Sequence, residues 1–122
     1  MTACSKAQKP NTGDILVFDN NVQSIGLPTH GAYNYGVFEC YTKGVYAMFV
    51  SIVSHTKYGR VGLYKNTEEL SAGYVTNSED NDYHSGSGMV AAVLDSGDTL
   101  SVKALYPMTV DGLSCMTIFK VE

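Results

Sequence analysis

Charge is scarce in this chain. Asp, Glu, Lys and Arg make up 16% of its 122 residues, against about 25% in ordinary soluble domains. Beside 44% apolar residues, that shortage excludes a disordered tail, a coiled coil and a bundle of charge-solvated helices. Basic clusters are absent as well. No two Lys or Arg residues are adjacent, and eight basic residues face twelve acidic ones for a net charge of -4. A surface that tracks phosphates needs grouped cations, so no nucleic-acid partner is expected. No apolar run approaches the roughly 18 residues of a membrane-spanning helix, so no membrane insertion is expected. Residues 1–10 lack a basic segment followed by an apolar one, so they do not read as a signal peptide. There is no CxxC pair to suggest structural zinc and no Asn-x-Ser/Thr sequon. Gly-x-Ser-x-Gly, phosphate-loop and dinucleotide fingerprints are missing too, and enzymatic activity is not expected.

What is present points to strands. Nine tyrosines, twelve glycines and only three prolines suit extended segments joined by glycine turns. Asp14–Phe18 is a short apolar run closed by Asp19-Asn20-Asn21. Tyr33–Gly36 leads into Val37–Tyr41. Val45–Val53 is apolar at almost every position, which predicts a central strand covered on both faces. Val61–Tyr64 follows as a short strand. Asn66–Leu70 could open a helical turn with Asn66 as cap and Glu69 three residues on, but Gly73 arrives too soon for a helix, and a polar loop is the expectation. Ser78–Ser87 reads as a long surface loop, and Met89–Leu94 as a second continuous apolar run. Asp95–Asp98 reads as a tight turn. Leu100, Val102 and Ala104 alternate with their neighbours, as do Cys115, Thr117, Phe119 and Val121. Eight to ten short strands with turns about every 8–12 residues are the pattern of a sandwich or barrel, here spanning residues 1–122 as a single domain. Two strands apolar on both faces need cover that so small a sandwich cannot supply, which predicts an obligate oligomer.

Three cysteines, Cys4, Cys40 and Cys115, leave at least one thiol outside any intramolecular pair. They read either as small buried hydrophobes or as one disulfide between two of the three, the pairing open. Cys40 alternates with the buried-looking Phe38, so a thiol nucleophile is not expected there.

The segment Phe38-Glu-Cys-Tyr-Thr-Lys-Gly44-Val-Tyr46-Ala-Met48-Phe-Val50 resembles the signature of the C1q globular-head domain. That signature runs Phe, five residues, Gly, one residue, Tyr, then aromatics at alternate positions. Val17-Phe18-Asp19, Gly26 and Tyr33 resemble the family's early strand and following loop. Thr2–Ser5 sits where members carry a short opening strand. Ser87–Leu94 with Gly97-Asp98 resembles a later strand and its Gly-Asp turn, and Ser114–Val121 the closing strand. Met48 and Val50 depart from the aromatic positions, and Cys4 from a Phe. The resemblance implies an all-β, ten-strand jelly-roll sandwich, C1q/TNF-like and homotrimeric. With no Gly-x-y repeat ahead of it, the chain resembles head-only members abundant in invertebrates, which act as soluble lectins of innate immunity. The family implies a secreted protein whose partners are itself and a glycan or microbial surface ligand. Alternatives are a cytokine-like or synapse-organising protein ligand, or a calcium-binding matrix protein.

Sugars are held by aromatic faces and fixed donors and acceptors on loops of a rigid scaffold. The loop from His55 to Arg60 offers His55, Lys57, Tyr58 and Arg60, with Lys57 or Arg60 able to hold a carboxylate. Tyr83 and His84 form a second candidate pair. All of these could equally be ordinary solvent-facing residues. Glu79, Asp80 and Asp82 cluster carboxylates suited to a hard cation such as calcium, or form a plain solvated loop. Asp95 and Asp98 read as turn formers.

Overall fold

The computed structural model describes residues 1–23, 30–56, 58–75 and 83–122. Among these there are ten strands and no helix: β1 (Thr2–Cys4), β2 (Asn20–Gln23), β3 (Gly31–Asn34), β4 (Val37–Cys40), β5 (Gly44–Ser54), β6 (Arg60–Lys65), β7 (Glu68–Tyr74), β8 (His84–Leu94), β9 (Thr99–Ala104) and β10 (Cys115–Lys120). They form two antiparallel five-stranded sheets, ordered β2-β1-β10-β5-β8 and β3-β4-β9-β6-β7. This is the expected jelly-roll sandwich.

The period-two patterns decide what each sheet buries. Tyr46, Met48, Val50 and Ile52 of β5 join Met116 and Ile118 of β10 on the inner side of the first sheet. Phe38, Leu63, Leu100 and Val102 face them from the second. The core thus lies between the sheets, closed by Leu16 and Phe18.

The odd-numbered side of β5 and β8 faces away from this core. The register sets Val45 against Val93, Ala47 against Ala91, and Phe49 against Met89. On β10, Phe119 lies opposite Ala47. Phe49, Met89, Val93 and Phe119 are 42–57% exposed. The run from Val45 to Val53 is therefore covered on one face by its own chain and bare on the other. The disulfide forms between Cys4 and Cys115 on this bare face, where β1 and β10 place them opposite each other. Cys40 stays a free, buried thiol directed at the Thr42 carbonyl oxygen at 3.2 Å.

Three segments differ from the sequence reading. Asp14–Phe18 is no continuous strand. Its main chain is divided among several partners: the Gln8 side chain bonds both the N–H and the carbonyl of Val17 (3.3 and 3.0 Å), the Leu16 N–H bonds the Val102 carbonyl at 2.8 Å, and β2 starts only at Asn20. Glu68–Leu70 belongs to β7 rather than to a polar loop. Asn66 turns the chain at φ +53°, its N–H bonded to the Thr99 carbonyl at 2.9 Å, and β6 and β7 pair as a hairpin. Ser85–Ser87, expected in a loop, extends β8 to eleven residues, all paired with β5. Gly86 marks the place: a Cβ there would lie 2.0 Å from the Tyr74 carbonyl oxygen, so only glycine lets β8 pass β7 so closely. Asp95 and Asp98 do form the turn. The Asp98 carboxylate accepts the Asp95 N–H at 2.8 Å, and with the Asn66 amide this holds its pKa below the usual carboxylate value.

Two tyrosines couple the fold to alkaline pH. The Tyr33 hydroxyl accepts the Phe18 N–H at 3.1 Å, and burial raises its pKa to about 12. Tyr46 donates to the Thr42 carbonyl at 2.5 Å, and burial, then the Cys40 thiol, raises its pKa to about 12. Both stay protonated in the folded chain while unfolded tyrosine ionises near pH 10, so the unfolded state binds fewer protons in that window. Stability conferred below pH 10 should decline as pH rises from 10 to 12. Denaturant midpoints measured across that range should fall, and Tyr33→Phe should flatten the fall; a midpoint constant to pH 12 would contradict this.

Candidate functional site

The C-terminus and the Asp95–Asp98 turn lie at one end of the sandwich, where the Val45 N–H bonds the Glu122 carbonyl at 2.8 Å. At the opposite, distal end the segments after β1 and β5 and those before β8 and β10 converge around a cleft of about 350 Å³. Ala7, Gln8, Lys9, His55, Tyr83, Thr109, Val110 and Asp111 line it.

Its walls are pinned by short polar contacts. The buried Ser54 hydroxyl accepts the Thr56 N–H at 3.0 Å and lies 3.2 Å from the Thr109 hydroxyl. Thr109 donates its N–H to the Thr56 hydroxyl at 2.7 Å. These bonds join the β5–β6 and β9–β10 loops and hold His55 between them, its Nδ1 3.4 Å from Thr109 Oγ1. Tyr83 meets the imidazole edge to face, with ring centroids 5.2 Å apart. On the third side Gln8 and Val110 exchange main-chain bonds of 2.9 and 2.8 Å. The Gln8 amide is anchored on Ser5 Oγ at 2.5 Å and the Val17 carbonyl at 3.0 Å. Asp111 caps its own turn by accepting the Leu113 N–H at 3.0 Å. Among the described residues the result is an aromatic and imidazole wall, hydroxyls, the Lys9 cation and the Asp111 carboxylate on a hydrogen-bonded frame. Its volume lies at the lower end of the roughly 300–1,000 Å³ typical of ligand pockets and suits one small polar ligand.

Of the residues singled out in the sequence, the structure brings His55 and Tyr83 together here. It places others elsewhere. Arg60 lies over the Tyr74 ring at 5.2 Å, with Nη2 3.4 Å from Glu69 Oε1, on the second sheet. Tyr58 is 64% exposed at φ +64°. His84 opens β8 opposite Ser54 and is not among the described cleft walls. Lys57, Glu79, Asp80 and Asp82 lie outside the described residues, as does Gly26. Sequence reasoning missed Gln8, Lys9, Thr109 and Asp111. No local pattern marks them, because the Gln8–Val110 bridge and the Ser54, Thr56 and Thr109 contacts that bring their segments together are all long-range.

Solved structures with this architecture define its class. The globular domain of zebrafish complement 1qA superposes with a TM-score of 0.77 at 16% identity, covering 99% of this chain and 95% of that one. Eiger TNF from S. frugiperda gives 0.79 at 15%, covering 100% and 92%, and murine APRIL gives 0.76 at 12%, covering 98% and 97%. The fold is thus the C1q/TNF-like jelly roll. The C1q domain model matches residues 1–112, and the chain belongs to that family. No curated protein matches it. C1q/TNF-like domains are trimeric ligands, generally extracellular and typically without enzymatic activity. No helix among the described residues is long and apolar enough to cross a membrane.

Proposed function

We propose that this protein is a secreted, non-enzymatic, lectin-type recognition module that acts as a homotrimer on glycans or other anionic surface ligands in innate immunity. The observation that carries the reading is the distal cleft. Tyr83 and His55 supply ring faces for a sugar, Lys9 supplies a cation for an acidic group, and the Ser54–Thr56–Thr109 hydroxyl lattice keeps these in place before a ligand arrives. Preorganisation of this kind lowers the entropic cost of binding. The bare apolar face of the first sheet supports the homotrimer, because exposed patches of this sort mark association surfaces. The Cys4–Cys115 disulfide supports an oxidising, extracellular setting. Three weak sites on one particle gain apparent affinity by orders of magnitude on a repetitive surface.

Titration against sialylated and neutral glycans tests the proposal. Binding of at least one glycan in the millimolar range or tighter is expected. Tyr83→Ala and His55→Ala should weaken it at least tenfold, and Arg60→Ala, outside the cleft lining, should not. Failure of every glycan at millimolar concentration would remove the lectin reading.

A further inference from the structure

Among its described walls the cleft carries Lys9 and Asp111, two opposite charges, and their placement follows from a short ladder. Gln8 and Val110 exchange main-chain bonds, and the Met108 N–H bonds the Pro10 carbonyl at 3.2 Å. Between these two pairs Lys9 lies opposite Thr109, so both side chains leave the ladder on one side. That is the side away from the buried Val110. The Thr109 hydroxyl there meets the hydroxyls of Ser54 and Thr56 and the His55 imidazole. Asp111 follows on the same strand, on the ladder diagonal from Lys9, at a spacing of roughly 7–8 Å.

Opposite charges so placed commonly pair, yet no ion pair among the described residues includes Lys9 or Asp111. The Asp111 carboxylate is held by the Leu113 N–H at 3.0 Å. The Asp111 N–H bonds the Val53 carbonyl at 2.8 Å, which sets this residue beside β5, whose continuation carries His55 against Tyr83. Lys9 stands on the far side of the strand that bears Thr109 and Asp111. The cleft therefore runs from a cation, past a hydroxyl, to a carboxylate and two rings. A purely anionic ligand on Lys9 would meet the repulsion of Asp111, and a neutral one would pair neither charge. An ammonium is drawn to a carboxylate and to an aromatic face alike, and Tyr83 is 60% exposed.

We infer that the cleft takes a zwitterionic ligand, the phosphate ester of an amino alcohol, with its phosphate on Lys9 and its ammonium between Asp111 and Tyr83. An α-amino acid, whose two charged groups share one carbon, is too short for the spacing of Lys9 and Asp111. This rests on the recognition reading and deepens it by naming the ligand class: a surface is read through a zwitterionic substituent, not through its acidic sugars.

Calorimetry with phosphocholine, inorganic phosphate and choline tests this on the intact protein. Phosphocholine should bind roughly tenfold or more tighter than either fragment. Asp111→Asn, which can still accept the Leu113 N–H, should weaken phosphocholine about as much and leave phosphate binding no weaker. Lys9→Gln should abolish the advantage of phosphocholine over choline, and it decides alone if circular dichroism shows Asp111→Asn unfolded. No binding of phosphocholine, equal binding of phosphate, or unchanged affinity in the folded variants overturns the inference. A phosphocholine-substituted polysaccharide and phosphatidylcholine vesicles separate the sources: binding of either upholds the inference, and binding of vesicles alone removes the lectin reading. Binding of sialylated or neutral glycans with no preference for phosphocholine over phosphate overturns the inference and leaves the lectin reading standing.

Discussion

Phe49→Glu is expected to turn a particle of roughly three times 13.2 kDa into a single chain of 13.2 kDa. Phe49 stacks on Phe119 with ring centroids 6.3 Å apart and lies against Met89 at the middle of the bare face. Within the described residues the outward positions around it carry no cation to pair with a carboxylate: its neighbours are Ala47, Met89, Ala91, Thr117 and Phe119. An unpaired charge buried in an interface costs about 3–5 kcal/mol, or about two to four powers of ten in the dissociation constant. A closed trimer repeats the penalty at three contacts. The monomer should tolerate the change, because the side chain is already 43% exposed there. Light scattering across a concentration series gives the answer, with circular dichroism reporting the β-sheet signal. A three-chain mass that survives the substitution at micromolar concentration would mean that copies associate through another surface.

Removing the disulfide should cost the single chain much of its stability. Cys4 and Cys115 are separated by 111 residues, so the bond closes nearly the whole chain. In the chain-entropy account a loop of that length contributes about 4–5 kcal/mol, beside a total of about 5–15 kcal/mol for a folded domain. The bond also anchors a strand of only three residues, β1, whose remaining ties to β10 include the 2.8 Å contact between the Thr2 and Thr117 hydroxyls. Cys4→Ser with Cys115→Ser in the Phe49→Glu background avoids coupling stability to protomer concentration. Its urea midpoint should fall sharply, and the parent protein under reductant should behave the same way. A loss below about 1 kcal/mol would show that the ends of the chain are held by packing instead.

Much of the architecture was legible in the residues because its signals are local. Val45–Val53 and Met89–Leu94 are apolar at nearly every position, and the alternation of Leu100, Val102 and Ala104 names their buried side directly. The Phe38–Val50 signature identified the family, as the C1q match over residues 1–112 bears out. Other strands were hidden. Ser85–Ser87 carries only serine and glycine, which have no apolar signal, and becomes strand because β5 offers it a full ladder. Glu68–Leu70 looked like a loop because its polar side chains reveal nothing about the hairpin that Asn66 initiates.

The residues alone determined an all-β chain, its inward-facing alternation and a strongly apolar pair of strands, because hydrophobic period is written into neighbouring positions. Only the tertiary structure decided that Cys4 pairs with Cys115 rather than with Cys40, since that choice depends on the register of the first strand against the last. It also decided that Tyr83 meets His55 while Arg60 turns to Glu69 and Tyr74. The cleft that Lys9, His55 and Asp111 share exists because distant loops converge where strands of one sheet end, and no neighbouring residue records that convergence.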